Sequence, residues 1–214
     1  MARLDPRSLG VYVLTSSGLV PERGHRDVAI AAVAGGATAV QLRAKELDDA
    51  ELLPLAEELS SRCRAGGVLF VVNDRVDVAL ESGADGLHVG QADELQHVRD
   101  RVGPDVVLGI SVQDALQAQA AELAGADYLG VTVWSTATKP EAVPRGLEGV
   151  REVVAATALP VVGIGGIEAA NAAEVLAAGA AGVAVISAVG AAEDPVGATR
   201  LLAEVVSRWR SEER

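Results

Sequence analysis

Lysine is scarce in this sequence: Lys45 and Lys139 stand against sixteen arginines, and both follow closely on short β-branched runs. Arg43 joins them within the run Gln41-Leu42-Arg43-Ala44-Lys45. Three cations placed this way in a chain of formal net charge −12 form the local positive cluster that an anionic substrate needs. Two carboxylates, Asp74 and Asp93, take comparable places after the next two runs, one behind Asn73 and one closing His88-Val89-Gly90-Gln91-Ala92-Asp93. An Asp in such a place also serves as a helix N-cap. Beside a cationic cluster the pair suits Mg²⁺, an ion held by one or two carboxylates together with phosphate oxygens and water. Gly165-Gly166 lets backbone amides approach a ligand closely. With Ser187 it makes a second, smaller anion pocket a better reading than a plain tight turn. The other reactive side chains are assigned no chemistry. Cys63 lies in a helical stretch as an ordinary thiol, and His88 alternates with apolar Leu87 and Val89 as a packed, hydrogen-bonded residue. His25 and His97 are expected in solvent, and no Cys–His or Ser–His arrangement is expected among the ligand-facing residues.

The elements that must position these groups follow from the hydrophobic period. Short β-branched runs alternate with longer Ala/Leu/Glu-rich stretches of helical spacing. The strands are expected at 11–15, 39–43, 68–72, 86–89, 106–110, 128–131, 160–164 and 182–186. Eight such pairs in 214 residues predict an α/β fold, a single (β/α)8 TIM barrel over residues 1–214. A doubly wound open sheet fits less well, because no strand runs into a Gly-x-Gly-x-x-Gly fingerprint. In a barrel the candidate residues would ring one mouth, at the C-terminal strand ends. Ala-Gly-Ala-Asp at Ala124 to Asp127, with near copies ending at Asp85 and Ala181, reads as a repeated turn solution without chemistry. The hydrophobic half of the chain fills a core from Ala, Val, Leu and Gly, with only 2% aromatic residues. Few rings are therefore expected at a ligand. The acidic balance argues against nucleic acid and anionic membrane as partners. The expected partners are small-molecule substrates, with a homo-oligomer left open. No apolar run is long enough to span a membrane and no secretory leader is visible, so a cytoplasmic location is expected.

Seven motifs, in register with the strand ends, resemble thiamine phosphate synthase. They are QLRAK at Gln41 to Lys45, Asn73-Asp74, HVGQAD at His88 to Asp93, GIS at Gly109 to Ser111, TATK at Thr136 to Lys139, GIGGI at Gly163 to Ile167, and VIS at Val185 to Ser187. The resemblance implies a (β/α)8 barrel that joins hydroxymethylpyrimidine diphosphate to a thiazole phosphate with Mg²⁺. It further implies that Gln41, Leu42, Arg43, Ala44, Lys45, Asn73, Ser111 and Lys139 hold the pyrimidine diphosphate, with Arg43, Lys45, Ser111 and Lys139 acting in catalysis. Asp74 and Asp93 would ligate the metal. Thr136, Ala137, Thr138, Gly166, Ile186 and Ser187 would hold the thiazole phosphate. The sequence departs from the family's usual pattern at Thr15-Ser16, at Thr132-Val133 and in the loop after Asp93. A thiazole tautomerase or a non-catalytic regulatory barrel of the same superfamily are the alternatives. The first is disfavoured by Gln113, where such tautomerases carry a histidine.

Overall fold

The computed structural model describes residues 4–90, 95–135 and 142–212. After a 3-10 turn at Pro6–Leu9, strands and helices alternate: β1 Val11–Leu14, α1 His25–Gly35, β2 Ala39–Leu42, α2 Asp49–Ala65, β3 Leu69–Asn73, α3 Val76–Glu81, β4 Gly86–Val89 and α4 Leu95–Val102. The second half runs β5 Val107–Val112, α5 Ala115–Leu123, β6 Tyr128–Thr132, α6 Gly146–Ala156, β7 Val161–Ile164, α7 Ala172–Ala177 and β8 Gly182–Val185, then α8 Ser187–Gly190 and α9 Pro195–Glu212. All eight strands are parallel, and β8 closes on β1 with Val11 opposite Val183. The expected strands are present within two residues at each end. β5 extends two residues further than expected, so Ser111 lies within a strand.

Alternation along the strands divides the core in two. Outward residues such as Val13, Val40, Leu42, Phe70, Leu108 and Val131 pack beneath the helices. The inward set, including Tyr12, Leu14, Ala39, Val71, Tyr128 and Ala184, fills the barrel. Helix α2 shows how the sequence reaches this arrangement. Asp48 caps it by accepting the Glu51 N–H, Glu51 reaches back to the cap, and Leu52, Ala56, Leu59 and Cys63 form the buried stripe. Burial and the nearby charge of Asp85 push the Cys63 thiol up to about 12, so it stays an inert apolar filler.

The Gly-Ala-Asp repeat has a structural task at the barrel's N-terminal end. The preceding Gly turns the chain with positive φ, +64° at Gly83 and +86° at Gly125. The Asp carboxylate then accepts the first free N–H of a neighbouring strand, Asp85 from Phe70 and Asp127 from Leu108. Thr38 does the same for Val11. Asp127 also binds Arg99 at 2.7 Å, and that guanidinium bonds the carbonyls of Gly103, Val106 and Gly125.

Asp127→Ala leaves the Leu108 N–H and one amino group of the Arg99 guanidinium without their acceptor, costing about 1–3 kcal/mol. Thermal unfolding should show a drop of about 2–4 °C per kcal/mol. The turnover of the folded fraction should stay unchanged, because the site lies at the other end of the strands.

Candidate active site

The inward positions at the C-terminal ends of the strands surround a cavity of about 140 Å³. Its polar wall comes from β2 to β5 and the loops that follow them, with Gln41, Arg43, Lys45, Asn73, Asp74 and Ser111. Its apolar wall comes from the opposite side of the barrel, with Leu14, Val162, Ile164, Ala184 and Ile186. The period of two explains the grouping: Gln41 and Arg43 share one face of β2, while Leu42 between them packs outward at 1% exposure. Leu42 therefore contributes only backbone to the mouth. Ala44 is also buried in the outer core, and it borders a shallow hollow beside Lys45, Asn73 and Asp74.

Below the mouth a continuous hydrogen-bonded chain crosses the barrel. Gln41 Nε2 donates to Tyr12 Oη at 2.6 Å, and Tyr12 Oη lies 2.8 Å from Tyr128 Oη. Tyr128 Oη lies 3.0 Å from His88 Nδ1, and His88 Nε2 lies 3.0 Å from Ser111 Oγ. The two tyrosine rings meet edge to face with centroids 6.0 Å apart. Burial pushes both phenols up, and both stay neutral. Gly109 makes room for this chain: it sits opposite Tyr128 in the register, and a Cβ there would stand 2.0 Å from the ring's Cζ.

Around the rim, Asn73 and Asp74 are held by β4. Asn73 Nδ2 and the Asp74 N–H both donate to the His88 carbonyl, at 3.1 and 2.9 Å. The Arg75 N–H returns to the Asn73 carbonyl at 2.8 Å, closing a three-residue turn around Asp74, whose φ is +62°. A non-glycine residue in this conformation is strained by about 1–3 kcal/mol, a cost typical of functional positions. The N-cap of α3 is Arg75, so Asp74 is not spent on capping. Arg75 itself pairs with Asp49 and reaches the Leu47 carbonyl, tying this turn to the segment after β2.

A second, smaller hollow of about 20 Å³ opens over β7 and β8 and shares Ile164, Ala184 and Ile186 with the first. Gly165, Gly166, Thr132 and Ser187 line it. Both glycines have positive φ, and the segment after β6 lies directly on them. A Cβ on Gly165 would come within 2.5 Å of the Trp134 carbonyl oxygen, and one on Gly166 within 3.0 Å of Trp134 Cβ.

The structure thus brings Gln41, Arg43, Lys45, Asn73, Asp74 and Ser111 to one cavity and Gly166, Ile186 and Ser187 to the adjoining hollow. Asp93, Thr136, Ala137, Thr138 and Lys139 lie outside the described residues, as does Gln91. Two expectations are corrected. His88 and Ser111 do form a Ser–His contact at the mouth, because β4 and β5 pair with His88 opposite Gly109, two residues before Ser111. His25 is not solvated: it is 6% exposed, with its ring between Thr15 Oγ1 at 2.8 Å and Glu46 Oε1 at 2.6 Å. Burial opposes ionisation of Glu46, but hydrogen bonds from Ser17, His25 and its own backbone prevail and bring it to about 2. Tyr12 and Tyr128 were missed because each reads as an ordinary strand aromatic. The signal that could have found them is the Gly at 109, a small residue among bulky strand neighbours.

Gly109→Ala should force the Tyr128 ring aside and break the chain to His88 and Ser111. The expected cost is about 1–3 kcal/mol of stability from overpacking. Catalytic efficiency should fall with it, read by thermal unfolding together with steady-state kinetics. An unchanged melting temperature would show that the ring has spare room.

Comparison with known proteins places this geometry. The family model for thiamine monophosphate synthase matches residues 11–189. A thiamine-phosphate synthase of Moorella thermoacetica is 48% identical over 203 residues, covering 94% of this chain and 97% of that protein. A thiamine-phosphate synthase of Chloroflexus aurantiacus is 47% identical over 199 residues, covering 92% of each. Among solved structures, a thiamine phosphate pyrophosphorylase from Pyrococcus furiosus superposes with a TM-score of 0.88 at 40% identity, covering 95% of this chain and 98% of that one. The match runs through the whole barrel from β1 into α8 and the relatives align almost end to end, so this chain belongs to the thiamine monophosphate synthase family and is a transferase of thiamine biosynthesis.

Proposed function

We propose that this chain joins hydroxymethylpyrimidine diphosphate to a thiazole phosphate, giving thiamine phosphate and diphosphate by a dissociative substitution. The carrying observation is that two hollows suited to anions share one apolar wall, Ile164, Ala184 and Ile186. The larger holds Arg43, Lys45, Asn73, Asp74 and Ser111 and fits a diphosphate. The smaller, with its paired glycines and Ser187, offers backbone and hydroxyl groups of the kind that bind a monophosphate's oxygens. A pyrimidine methyl carbon over the shared wall would lie between the departing diphosphate and the thiazole nitrogen.

The carbon–oxygen bond breaks with its electron pair going to the diphosphate, and the thiazole nitrogen's lone pair forms the new carbon–nitrogen bond. Arg43 and Lys45 stabilise the negative charge that grows on the leaving group, and Lys139 is read as a third cation there. The hydroxyl of Ser111, held by His88, is oriented as a donor to the same group. No proton need leave the substrate, so His88 acts on Ser111 as a positioning residue. The apolar wall excludes water that would otherwise capture the carbocation.

Mg²⁺ suits the donors here. Asp74 is held in a strained turn facing the same cavity as two cations, and Asp93 is read as its companion. Among the described residues no group of three His, Cys, Asp or Glu could hold a metal, and Mg²⁺ with one or two carboxylates needs no such group. When bound, the ion would neutralise charge on the diphosphate oxygens. Among the described residues no helix is long and apolar enough to cross a membrane. We place the reaction in the cytoplasm, with small molecules as partners.

Mixing both substrates with Mg²⁺ should release one diphosphate per thiamine phosphate, and chelation should stop it. Arg43→Ala should lower kcat/KM for the pyrimidine diphosphate by roughly a hundredfold or more, the scale of a lost charge at a leaving group. Asp74→Asn should raise the Mg²⁺ concentration needed for half activity. Failure of the unaltered protein to release diphosphate from both substrates would overturn the reading.

A further inference from the structure

A second polar network reaches Arg43 and Lys45 from behind. Thr15 follows β1, is fully buried, and donates its N–H to the Gln41 carbonyl at 2.9 Å. Its Oγ1 accepts the Arg43 N–H at 3.2 Å and lies 2.8 Å from His25 Nδ1. The opposite ring nitrogen of His25 lies 2.6 Å from Glu46 Oε1. Residues 43 to 46 are therefore fastened at both ends to β1 and α1, although the β2 ladder has already stopped at Leu42. Between the fastenings, Ala44 packs into the core while the side chains of Arg43 and Lys45 line the cavity. Thr15, His25 and Glu46 do not line it.

The donors and acceptors close without conflict. Glu46 is ionised and can only accept, so His25 Nε2 carries the proton toward it. A ring carrying that proton alone accepts the Thr15 hydroxyl at Nδ1, and the Thr15 oxygen keeps a lone pair for the Arg43 N–H. With that proton placement each polar atom of the chain has a partner of the right kind, and the chain runs in one sense from Arg43 to Glu46.

We propose that Thr15, His25 and Glu46 are positioning residues for the leaving-group end of the site: they hold the backbone of residues 43 to 46 so that Arg43 and Lys45 meet the diphosphate already in place. The proposal rests on the reading that these two cations hold the pyrimidine diphosphate. A segment without the fastening would have to be ordered when substrate binds, which costs affinity for that substrate. The thiazole-phosphate hollow stands on β7 and β8 and shares none of these bonds.

The test is steady-state kinetics with each substrate varied, alongside thermal unfolding, for His25→Ala, Thr15→Val, Thr15→Ser and Arg43→Ala. His25→Ala and Thr15→Val should raise KM for the pyrimidine diphosphate roughly tenfold, the effect of a displaced binding group. KM for the thiazole phosphate should stay within about twofold in the same proteins, because the second hollow is untouched. Thr15→Ser keeps the hydroxyl and should return KM to the unaltered value. The double variant of His25→Ala and Arg43→Ala should fall short of the product of the two single effects, since His25 acts in part through Arg43 and otherwise through Lys45. If His25→Ala does not fold, Glu46→Ala at a 45% exposed position serves in its place, with the same selective rise in KM expected. Equal changes in both KM values, or none in a folded variant, would overturn the proposal. If Arg43→Ala leaves the pyrimidine diphosphate KM unchanged, the site reading itself fails. If Arg43→Ala raises it and His25→Ala does not, only the positioning role falls.

Discussion

A polar side chain inside a closed barrel must find its partner inside the barrel, because the strands leave no edge and little water reaches the interior. The chain from Gln41 through Tyr12, Tyr128 and His88 to Ser111 meets that constraint, and the rest of the site depends on it. Five groups on five strands satisfy one another in sequence, so no link can rotate without stranding its neighbour. Its two ends, Gln41 and Ser111, line the ligand cavity and are held by partners deeper in the barrel. The hydroxyl and carboxamide a ligand meets are thus set before it arrives, which is where preorganised electrostatics draws its effect.

Above this floor the charged groups are fixed by a different means. Arg43 and Lys45 are held through the backbone that carries them, and among the described residues neither pairs with an acidic group. Elsewhere the protein spends its arginines on pairing: Arg99 on Asp127, Arg75 on Asp49, Arg26 and Arg62 on Glu58. The net charge of −12 is a sum over a surface where seven of the described arginines are ion-paired with acidic neighbours. At the mouth the local sign is reversed. The acidic exterior repels polyanions, and the cations at the mouth are the local exception on which the proposed diphosphate site rests.

Most of the barrel was legible because the strand signal is local. β-branched runs bounded by Gly and Asp name their own limits, and seven of the eight strands end within a residue of where the pattern stops. The rim groups were legible for the same reason, since the residues just past the strands gather at the barrel's C-terminal end. The interior chain was not legible, because it depends on register between distant segments. Tyr12 and Tyr128 are 116 residues apart and meet across the barrel. His25 was misread for a related reason. As the first residue of α1 it looks like a solvent-facing helix terminus, and only the folded approach of the segment after β2 encloses it. The Ser–His contact was hidden because Ser111 sits within β5 and not in the loop beyond it.

The poverty in aromatics takes on a different meaning once the chain is folded. Five rings serve the whole protein, and two of them, Tyr12 and Tyr128, are both in the barrel interior beneath the ligand cavity, while Trp134 lies against the paired glycines of the second hollow. Three of five rings therefore stand at or beside the site, where Tyr12 and Tyr128 also fill the barrel interior and Trp134 packs against the outer core. A tyrosine gives such a site two things that an aliphatic residue cannot: a flat apolar face and a hydroxyl that transmits a hydrogen bond. The small residues beside them, Gly109 opposite Tyr128 and Ala39 opposite Tyr12, leave room for the rings within a barrel of fixed width. The few rings that composition allows are thus divided between the outer core, which holds Phe70, and the barrel interior beneath the cavity, where Tyr12 and Tyr128 add a hydroxyl to their bulk.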